Sequence, residues 1–430
     1  MQKIDISYGR YGLSLEVPDD FRVLRTKKVA AIDDEQAAIL AALRSPIDKP
    51  PLSSLVGFGA RVVVTHSDIT RATPNRRLLP VILNELEDNG VRREDITLLN
   101  ALGTHRQQTN QELRTLLGDH IVENYRCEQH NAFNDEGLIS VGKTSLGNDI
   151  RLNKLLVEAD IKIFTGFIEP HFFAGFSGGP KAVLPALAGA ESVYTNHGFN
   201  MIAHPSATFN ITQGNPIWEE MKEAAEKVSN SFLVNVTLDR SHRITGVFAG
   251  DVISAHSKGC QFLRDNSVVV INEPYDIVIS SNSGYPLDQN LYQCVKGLSA
   301  AKRAVRKGGA ILMVARCEDG LPDHGSYASL LKRADSPNGI LSMISQRGFQ
   351  EQDTWQVQTQ AYVQQHAEVH LFSEGLQNTM IKNAMMIPCR DISDTLSQLM
   401  RRFGNKVCVI PEGPLVIVNL SSSAVQNEDV

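Results

Sequence analysis

Short apolar runs alternate with helical stretches along almost the whole chain, and this alternation limits the possible folds more than any other feature. Runs with the character of buried strands occupy residues 61–66, 95–101, 161–165, 232–236, 276–280, 310–315 and 407–410. Apolar residues at helical spacing lie between several of these runs, at residues 76–88, 217–228, 290–306 and 393–403. Such alternation predicts largely parallel sheets covered by helices, which is the α/β class.

The length of the chain predicts two domains. Domains usually have ~100–200 residues, and the chain has 430. One α/β pattern ends and a new strand begins between residues 265 and 276. We therefore expect an N-terminal α/β domain at 1–268 and a C-terminal α/β domain at 269–430, with a segment near 76–100 as a candidate for packing with the second domain. The active site is expected in the cleft between the two domains.

Composition excludes several classes of protein. The residues are 42% hydrophobic and 21% charged, as in a folded globular protein. The formal net charge of −6 predicts no general attraction to nucleic acid or to an anionic membrane surface. No apolar run approaches the ~18–20 residues of a membrane span. The six cysteines form no Cys-x-x-Cys pair, so we expect a cytoplasmic protein without a disulfide framework.

One motif points to a nucleotide, although its surroundings do not. Residues 137–144 match the phosphate-loop pattern Gly-x-x-x-x-Gly-Lys-Thr at every position. A phosphate loop needs a buried strand before it and a helix directly after the lysine. Here the variable positions are Leu-Ile-Ser-Val, which favour a strand, and residues 145–149 predict a turn. A strand that ends in a solvated turn is the favoured interpretation, and a phosphate-loop nucleotide-binding protein is the alternative function.

Residues 165–181 close a strand and carry the densest set of informative side chains. Glycines after a strand permit close backbone approach to a ligand, and the phenylalanines around His171 predict a dry wall. Lys181 follows Pro180 and is expected to open a helix. A lysine there, beside apolar rings, could have a lowered pKa and act as a nucleophile. A structural glycine-rich turn with a solvated lysine is the alternative.

Two further histidines, His105 and His197, are expected with His171 at the ends of strands, where a parallel-sheet enzyme carries its catalytic groups. Each of them, taken singly, also fits a hydrogen-bonded structural histidine. Residues 67–74 follow another strand and supply hydroxyls, a carboxylate and an arginine, a set suited to holding a phosphate or carboxylate.

The second half of the chain contributes one polar helix face. Gln289, Gln293 and Lys296 are spaced by four and three residues on a predicted helix, so they share a face. That face could meet an acidic substrate, and a solvated amphipathic helix is the alternative.

Taken together and in order, these patches resemble the nickel-pincer lactate racemase family. The resemblance rests on residues 67–71, 103–106, 166–181, 196–197 and 284–296, and it extends to about residue 413. It implies an isomerase, namely a racemase or epimerase of lactate or a related small 2-hydroxy acid that works by hydride transfer. It also implies a nickel(II) pyridinium-3,5-bisthiocarboxylate mononucleotide as cofactor, supplied by separate cofactor-biosynthesis enzymes.

The roles of single residues follow from the resemblance alone. Lys181 resembles the lysine that binds the cofactor covalently, and His197 resembles the protein ligand to nickel. His105 and His171 resemble the two acid/base histidines. The other implied positions are Asp68, Ile69, Thr70 and Arg71 for the cofactor, and Arg71, Tyr292, Gln293, Lys296 and Trp355 for the substrate. Pro180 departs from the arginine of the lactate enzyme, and this departure bears on the reactivity of the lysine.

Overall fold

The structure, a computed structural model, describes residues 1–322 and 324–421. Residues 323 and 422–430 of the predicted C-terminal domain lie outside the described residues. The strands are β1 (Gln2–Ile6), β2 (Leu13–Val17), β3 (Arg22–Val23), β4 (Val62–Ser67), β5 (Ile96–Ala101), β6 (Arg126–Gln129), β7 (Leu138–Lys143), β8 (Asp149–Asn153), β9 (Ile161–Phe167), β10 (Pro170–His171), β11 (Gly175–Phe176), β12 (Ser231–Leu238), β13 (Ile244–Gly250), β14 (Val268–Ile271), β15 (Tyr275–Ser281), β16 (Val305–Val314), β17 (Ala367–Phe372), β18 (Ile387–Cys389), β19 (Val407–Ile410) and β20 (Ile417–Leu420).

The helices lie mostly between these strands, as the sequence pattern predicts. They are α1 (Glu35–Arg44), α2 (Asn75–Asp88), α3 (Asn110–Leu117), α4 (Asp119–Asn124), α5 (Lys154–Glu158), α6 (Ala190–Asn196), α7 (Phe199–Ala203), α8 (Pro216–Glu226), α9 (Val252–Ser267), α10 (Leu291–Lys302), α11 (Tyr327–Leu331), α12 (Pro337–Ile344), α13 (Thr354–His366), α14 (Asn378–Asn383) and α15 (Ile392–Phe403). In the described part of the chain, none of them combines the length and the hydropathy that a membrane span requires.

The first large sheet has the strand order β13-β12-β9-β4-β5-β6. Its strands pair in parallel except for β12 with β13. From β4 the chain moves outward to β5 and β6, and then returns to the other side of β4 to form β9 and β12. The direction of winding therefore reverses between β4 and β9. In an open parallel sheet the crevice at such a reversal, at the carboxyl ends of the strands, is where ligands usually bind.

The second large sheet has the order β18-β17-β16-β15-β19-β3 and is parallel throughout. Its winding reverses between β15 and β19, because β16 to β18 lie on one side of β15 and β19 lies on the other. These two sheets with their helices confirm the predicted α/β class and its largely parallel sheets. Helix α10 follows β15 directly and is buried along most of its length.

The chain does not divide between the sheets in strict sequence order, and the predicted boundary at 268/269 stays a prediction. The first residues belong with the second sheet: Ile4, Ile6 and Phe21 pack in one apolar cluster with residues of β15, β16 and β19. Residues 76–100 form α2 and β5 of the first sheet, where α2 packs in an apolar cluster with β4 and β5, and their packing with the second domain stays a prediction. Elements that follow each other in sequence commonly pack together, which accounts for this placement.

The phosphate-loop alternative is wrong. Residues 138–143 form β7, which pairs antiparallel with β8 in a two-stranded hairpin. The lysine of the motif, Lys143, is exposed, and a turn follows it where a phosphate loop needs a helix. The favoured interpretation, a strand that ends in a solvated turn, is confirmed.

Candidate active site

A cavity of about 160 Å³ lies at the winding reversal of the first sheet and is lined on the other side by residues of α10 and α13. Its walls contain most of the predicted site residues, namely Asp68, Arg71, His105, His171, Lys181, His197, Tyr292, Gln293, Lys296 and Trp355. A second cavity of about 370 Å³ shares four of these residues and is lined by the remaining two, Ile69 and Thr70. Side chains from both halves of the sequence therefore meet in one cleft.

The loop after β9 is held in shape by side chains from β12 and α9. The backbone N–H of Gly179 donates to Oδ1 of Asn235 at 2.8 Å. His256 donates from Nε2 to the carbonyl of Ser177 at 2.9 Å. Gly178 and Gly179 have φ angles of +78° and +56°, which residues other than glycine rarely adopt. The loop thus follows a path that only glycine permits.

Lys181 was expected to open a helix, but it does not open an α-helix. It lies in a single 3₁₀ turn, Gly179–Ala182. Pro185 follows four residues later, and a proline disfavours helical backbone in the residue before it and lacks an N–H for the helix ladder. The short turn leaves the ammonium of Lys181 at 5.6 Å from the ring centroid of Phe173, in the wall of the cavity.

Three cationic side chains face this cavity: Arg71, Lys181 and Lys296. Burial lowers the pKa of Lys181 to about 7, and the charges of Arg71 and Lys296 contribute, while Glu169 acts in the opposite direction. Burial and Arg71 likewise lower the pKa of Lys296 to about 8. A lysine in this state is partly neutral near pH 7, and a neutral amine is a nucleophile.

Several polar atoms of this cluster lack a partner. Nζ of Lys296, Nη1 of Arg71 and Oε1 of Gln293 are buried and make no hydrogen bond in the described part of the chain. A buried polar atom without a partner costs free energy of ~1–3 kcal/mol, and more if it is charged. Two cationic donors and one acceptor are therefore available to a ligand that carries an anionic, hydrogen-bonding group.

His105 is oriented by Asp68. Nδ1 of His105 lies 2.5 Å from Oδ2 of Asp68, so the ring donates there and presents Nε2 as an acceptor. Burial by itself would raise the pKa of Asp68, but the interactions with His105, Arg71 and Thr70 hold it below its usual range. Asp68 therefore remains a carboxylate that fixes the histidine ring.

His171 is oriented in the opposite sense. Its Nδ1 accepts the backbone N–H of Ala174 at 3.2 Å and that of Phe173 at 3.5 Å. The neutral ring must then carry its hydrogen on Nε2. Burial lowers the pKa of His171, and the charges of Lys181, Lys296 and Arg71 add to this effect. In this state one histidine of the site offers a lone pair and the other offers a hydrogen.

His197 was expected at the end of a strand, and this expectation is wrong. It caps the carboxyl end of helix α6. Its Nδ1 lies 2.9 Å from Oδ1 of Asn196. The rings of Phe173 and Trp355 meet its ring edge to face, with centroids at 5.0 and 5.2 Å. The helix end, and not the sheet, brings this histidine to the cavity.

Among the residues of the cavity wall that sequence reasoning missed are two with polar side chains, Asn235 and Gln356. Asn235 is buried in β12 and Gln356 lies in α13 next to Trp355. Gln356 donates from Nε2 to the carbonyl of Tyr292, and Trp355 donates from Nε1 to the hydroxyl of Tyr292 at 3.2 Å. A signal existed for Asn235, since it is the polar residue within the apolar run Phe-Leu-Val-Asn-Val. Gln356 gave no such signal.

Comparison with known families gives two matches that together span most of the chain. Residues 8–210 match the family model of the lactate racemase N-terminal domain. Residues 270–418 match that of the lactate racemase C-terminal domain.

Individual proteins match over nearly their full length. The chain is 36% identical over 427 residues to a lactate racemase of Thermoanaerobacterium thermosaccharolyticum, which covers 97% of this chain and 99% of the relative. It is 35% identical over 426 residues to a lactate racemase of Lactiplantibacillus plantarum, covering 97% and 100%.

Solved structures agree with these matches. The lactate racemase apoprotein of T. thermosaccharolyticum superimposes with a TM-score of 0.90 at 35% identity, over 97% of this chain and all of that one. A Thermotoga maritima protein has a TM-score of 0.70 at 19% identity, over 90% and 98% of the two chains, and shares the fold.

Proposed function

Because the chain belongs to the lactate racemase family, we propose that it is a racemase that interconverts the two enantiomers of lactate or of a related small 2-hydroxy acid. The observation that supports this most is the meeting of three histidines and three cationic side chains in one cleft between the two sheets. A 2-hydroxy acid has a carboxylate for the cations and a hydroxyl for the histidines.

The residues present fit the cofactor that the family resemblance implies. Lys181, with a pKa of about 7, is a nucleophile suited to covalent attachment, and Ile69 and Thr70 line the adjoining cavity together with Asp68. His197 would be the nickel ligand, and imidazole is a ligand that suits nickel. The guanidinium of Arg71, whose Nη1 is buried without a hydrogen-bond partner, suits the anionic groups of a mononucleotide. When bound, the cofactor would supply an acceptor and donor of hydride for the substrate carbon.

Lys296 and Arg71 bind the substrate carboxylate. The two come from opposite walls of the cleft, and both have a buried nitrogen without a hydrogen-bond partner. The guanidinium of Arg71 offers a planar fork to the carboxylate, and Lys296 adds a point charge. Gln293, whose Oε1 is unpartnered, accepts from a hydroxyl or N–H of the bound ligand. These contacts fix the orientation of the substrate carbon.

His105 and His171 exchange protons with the oxygen on that carbon. His105 accepts the hydroxyl proton at Nε2, and Asp68 stabilises the resulting imidazolium. When the opposite enantiomer forms, the protonated form of His171 gives a proton to the oxygen and returns to the neutral ring, and His105 releases to solvent the proton that it accepted. In the reverse direction the two rings exchange these tasks, so both are needed in every complete inversion. Phe173 and Trp355, packed around the site, hinder the entry of water and so retain the planar oxo acid.

The test is a chiral assay on protein loaded with cofactor by its biosynthesis enzymes. We expect inversion of lactate or a related 2-hydroxy acid, and a loss of ~10²–10⁴-fold in either His105→Ala or His171→Ala. The double variant should be little worse than each single variant, because residues that act as a unit are not additive. Near-normal inversion by a folded His171→Ala protein would contradict the two-histidine mechanism.

Attachment of the cofactor is tested separately by mass. Intact loaded protein should show a covalent mass increment that Lys181→Ala abolishes, and Lys143→Ala is the control that keeps it. Loaded protein with neither an increment nor nickel would refute the cofactor assignment. An increment in Lys181→Ala would place the attachment elsewhere.

A further inference from the structure

A chain of buried hydrogen bonds reaches His197 from the side opposite the cavity. His197 Nδ1 contacts Oδ1 of Asn196 at 2.9 Å. Nδ2 of Asn196 donates to the carboxylate of Glu220 at 2.8 Å and to the carbonyl of Ile217 at 3.1 Å. Asn196 is fully buried and Glu220 is 1% exposed. A carboxylate with so little access to solvent is retained only where its hydrogen bonds are made.

The orientation of the Asn196 amide follows from its partners. The carbonyl of Ile217 can only accept a hydrogen bond, and the carboxylate of Glu220 receives two more from Thr144 at 2.9 Å and from Asn148 at 3.3 Å. The NH₂ group of Asn196 must therefore face these acceptors, and its oxygen must face His197. That oxygen accepts, so the hydrogen of the neutral His197 ring lies on Nδ1.

The remaining ring nitrogen of His197 is then a lone-pair donor. Within residues 1–322 and 324–421, Nε2 has no hydrogen-bond partner, while the ring itself lines the cavity. A metal ion binds the unprotonated nitrogen of a neutral imidazole, and the hydrogen bond at the other nitrogen decides which one that is.

We propose that Asn196 and Glu220 form a relay that fixes the Nδ1–H form of His197 and so prepares Nε2 for the metal. Asn196 is a positioning residue that contacts His197. Glu220 holds the Asn196 amide in the required orientation. The inference rests on the proposed function for its metal, whereas the ring form that it predicts belongs to the chain itself. Partners of this kind typically change metal affinity by ~10–100-fold.

The ring form is measured without cofactor, by ¹⁵N NMR of apo-protein labelled in histidine. His197→Gln identifies the resonances by their loss. In the wild-type protein we expect Nδ1 to be protonated and Nε2 to be unprotonated. Asn196→Leu removes the acceptor, and the protonated fraction at Nδ1 should fall. Asn196→Asp keeps an oxygen toward His197, and a proton shared with Glu220 replaces the lost N–H, so the wild-type form should return.

Asn148→Leu is the matched control. It removes the other amide that donates to Glu220, in the same buried network, but leaves the contact between Asn196 and His197. A purely structural effect would appear equally in Asn148→Leu and Asn196→Leu. The proposed relay predicts a change of ring form in Asn196→Leu alone.

Nickel retention by loaded protein is the second readout. After dialysis against a chelator, Asn196→Leu should lose nickel ~10–100-fold more readily than wild type, with Asn196→Asp and Asn148→Leu near wild type. A wild-type ring protonated at Nε2, or an unchanged ring form in Asn196→Leu, would overturn the relay. Wild-type protein that shows the Nδ1–H form and never retains nickel would instead refute the metal assignment in the proposed function.

Discussion

The unpartnered ammonium of Lys296 shows, at the scale of single residues, that the site costs the protein stability. Lys296 is 7% exposed, and its pKa of about 8 means that folding disfavours its charged form. We predict that Lys296→Met raises the free energy of unfolding by about 1–3 kcal/mol at pH 7, while it abolishes activity. Urea denaturation of the apo-proteins measures this difference.

The direction in which the free energy of unfolding changes with pH follows from the difference in bound protons between the folded and unfolded states. Below about pH 8 the lysine is charged in both states, and its full cost is present. Between pH 8 and its unfolded value of ~10.4 the unfolded chain binds more protons, so the wild-type protein gains stability as pH rises. The advantage of Lys296→Met should therefore shrink between pH 7 and 9.5. A variant less stable than wild type at pH 7 would show that Lys296 has a stabilising partner.

Lys181 permits a direct measurement of its own titration. Its pKa of about 7 predicts that acylation of the apo-protein at this lysine rises steeply between pH 6 and 8. Peptide mass spectrometry follows the reaction, and exposed Lys143 provides the reference. Arg71→Met should move the midpoint to higher pH, because the charge of Arg71 is the largest contribution to the lowered pKa after burial. A midpoint near the ordinary lysine value of ~10.4 would contradict the buried cluster.

The turn that carries Lys181 gives a prediction at the scale of structural elements. A Cβ at Gly179 would lie 2.3 Å from the ring of His256, whereas a Cβ at Gly214 would meet nothing within 4 Å. Both glycines have positive φ, at +56° and +80°, so the backbone strain is shared. Gly214→Ala should cost about 1–2 kcal/mol, and Gly179→Ala about 2–4 kcal/mol, with loss of the selective acylation of Lys181.

Thermal unfolding and the acylation assay together test this turn. If Gly179→Ala and Gly214→Ala lose equal stability and keep the same reactive lysine, the contact with His256 has no role in shaping the loop.

The same elements show how far sequence reasoning extends. Strands such as β4 and β9 could be predicted because a short, continuous apolar run in an α/β pattern indicates a strand that is buried on both faces of a parallel sheet. Helix α10 was predicted to reach residue 306, but it ends at Lys302, because Val305 pairs with Tyr275 in the sheet. Residues with helix propensity continue past Lys302, and α10 ends there because the following residues pair with β15, a contact that local propensity does not show.

The candidate site divides in the same way. The residues that form it could be named through family resemblance, since each lies in a recognisable local motif. The apolar rings beside Lys181 already indicate a lowered pKa, and burial is its largest cause, but the contribution of Lys296 comes from α10 in the other half of the chain, and no local pattern contains that contact. The hydrogen bond from Asn196 to Glu220 likewise joins two helices that have no sequence motif in common. The motifs could be identified from the sequence, but the contacts between them could not be predicted from it.

At the scale of the whole molecule, the cleft is a cationic cavity shared by two sheets in a chain of net charge −6. An anion held between Arg71 and Lys296 would connect the two halves. We predict that oxalate or lactate raises the melting temperature of the apo-protein, because a ligand that binds only the folded state stabilises it. For a chain of 430 residues, a binding contribution of ~1 kcal/mol corresponds to about 1 °C, because the entropy of unfolding is ~2.1 cal/mol/K per residue.

Propane-1,2-diol, which lacks the carboxylate, is the matched neutral ligand and should have no effect, and sodium chloride at equal ionic strength controls for screening. Lys296→Met should lose the response to the carboxylates. Equal stabilisation of wild type and Lys296→Met would place the anion outside the cleft.

The pairing of β3 with β19 has a consequence for how the protein folds while it is synthesised on the ribosome. Val23 pairs with Val409, so β3 is synthesised long before its partner strand β19. At ~5–20 residues per second this interval lasts tens of seconds, while the first sheet can already fold. Ile4, Ile6 and Phe21 belong to an apolar cluster that also contains residues of β15, β16 and β19, so this cluster is likewise completed late. The second sheet is therefore completed only after the long intervening part of the chain has been made, and β3 lacks its partner strand throughout that interval.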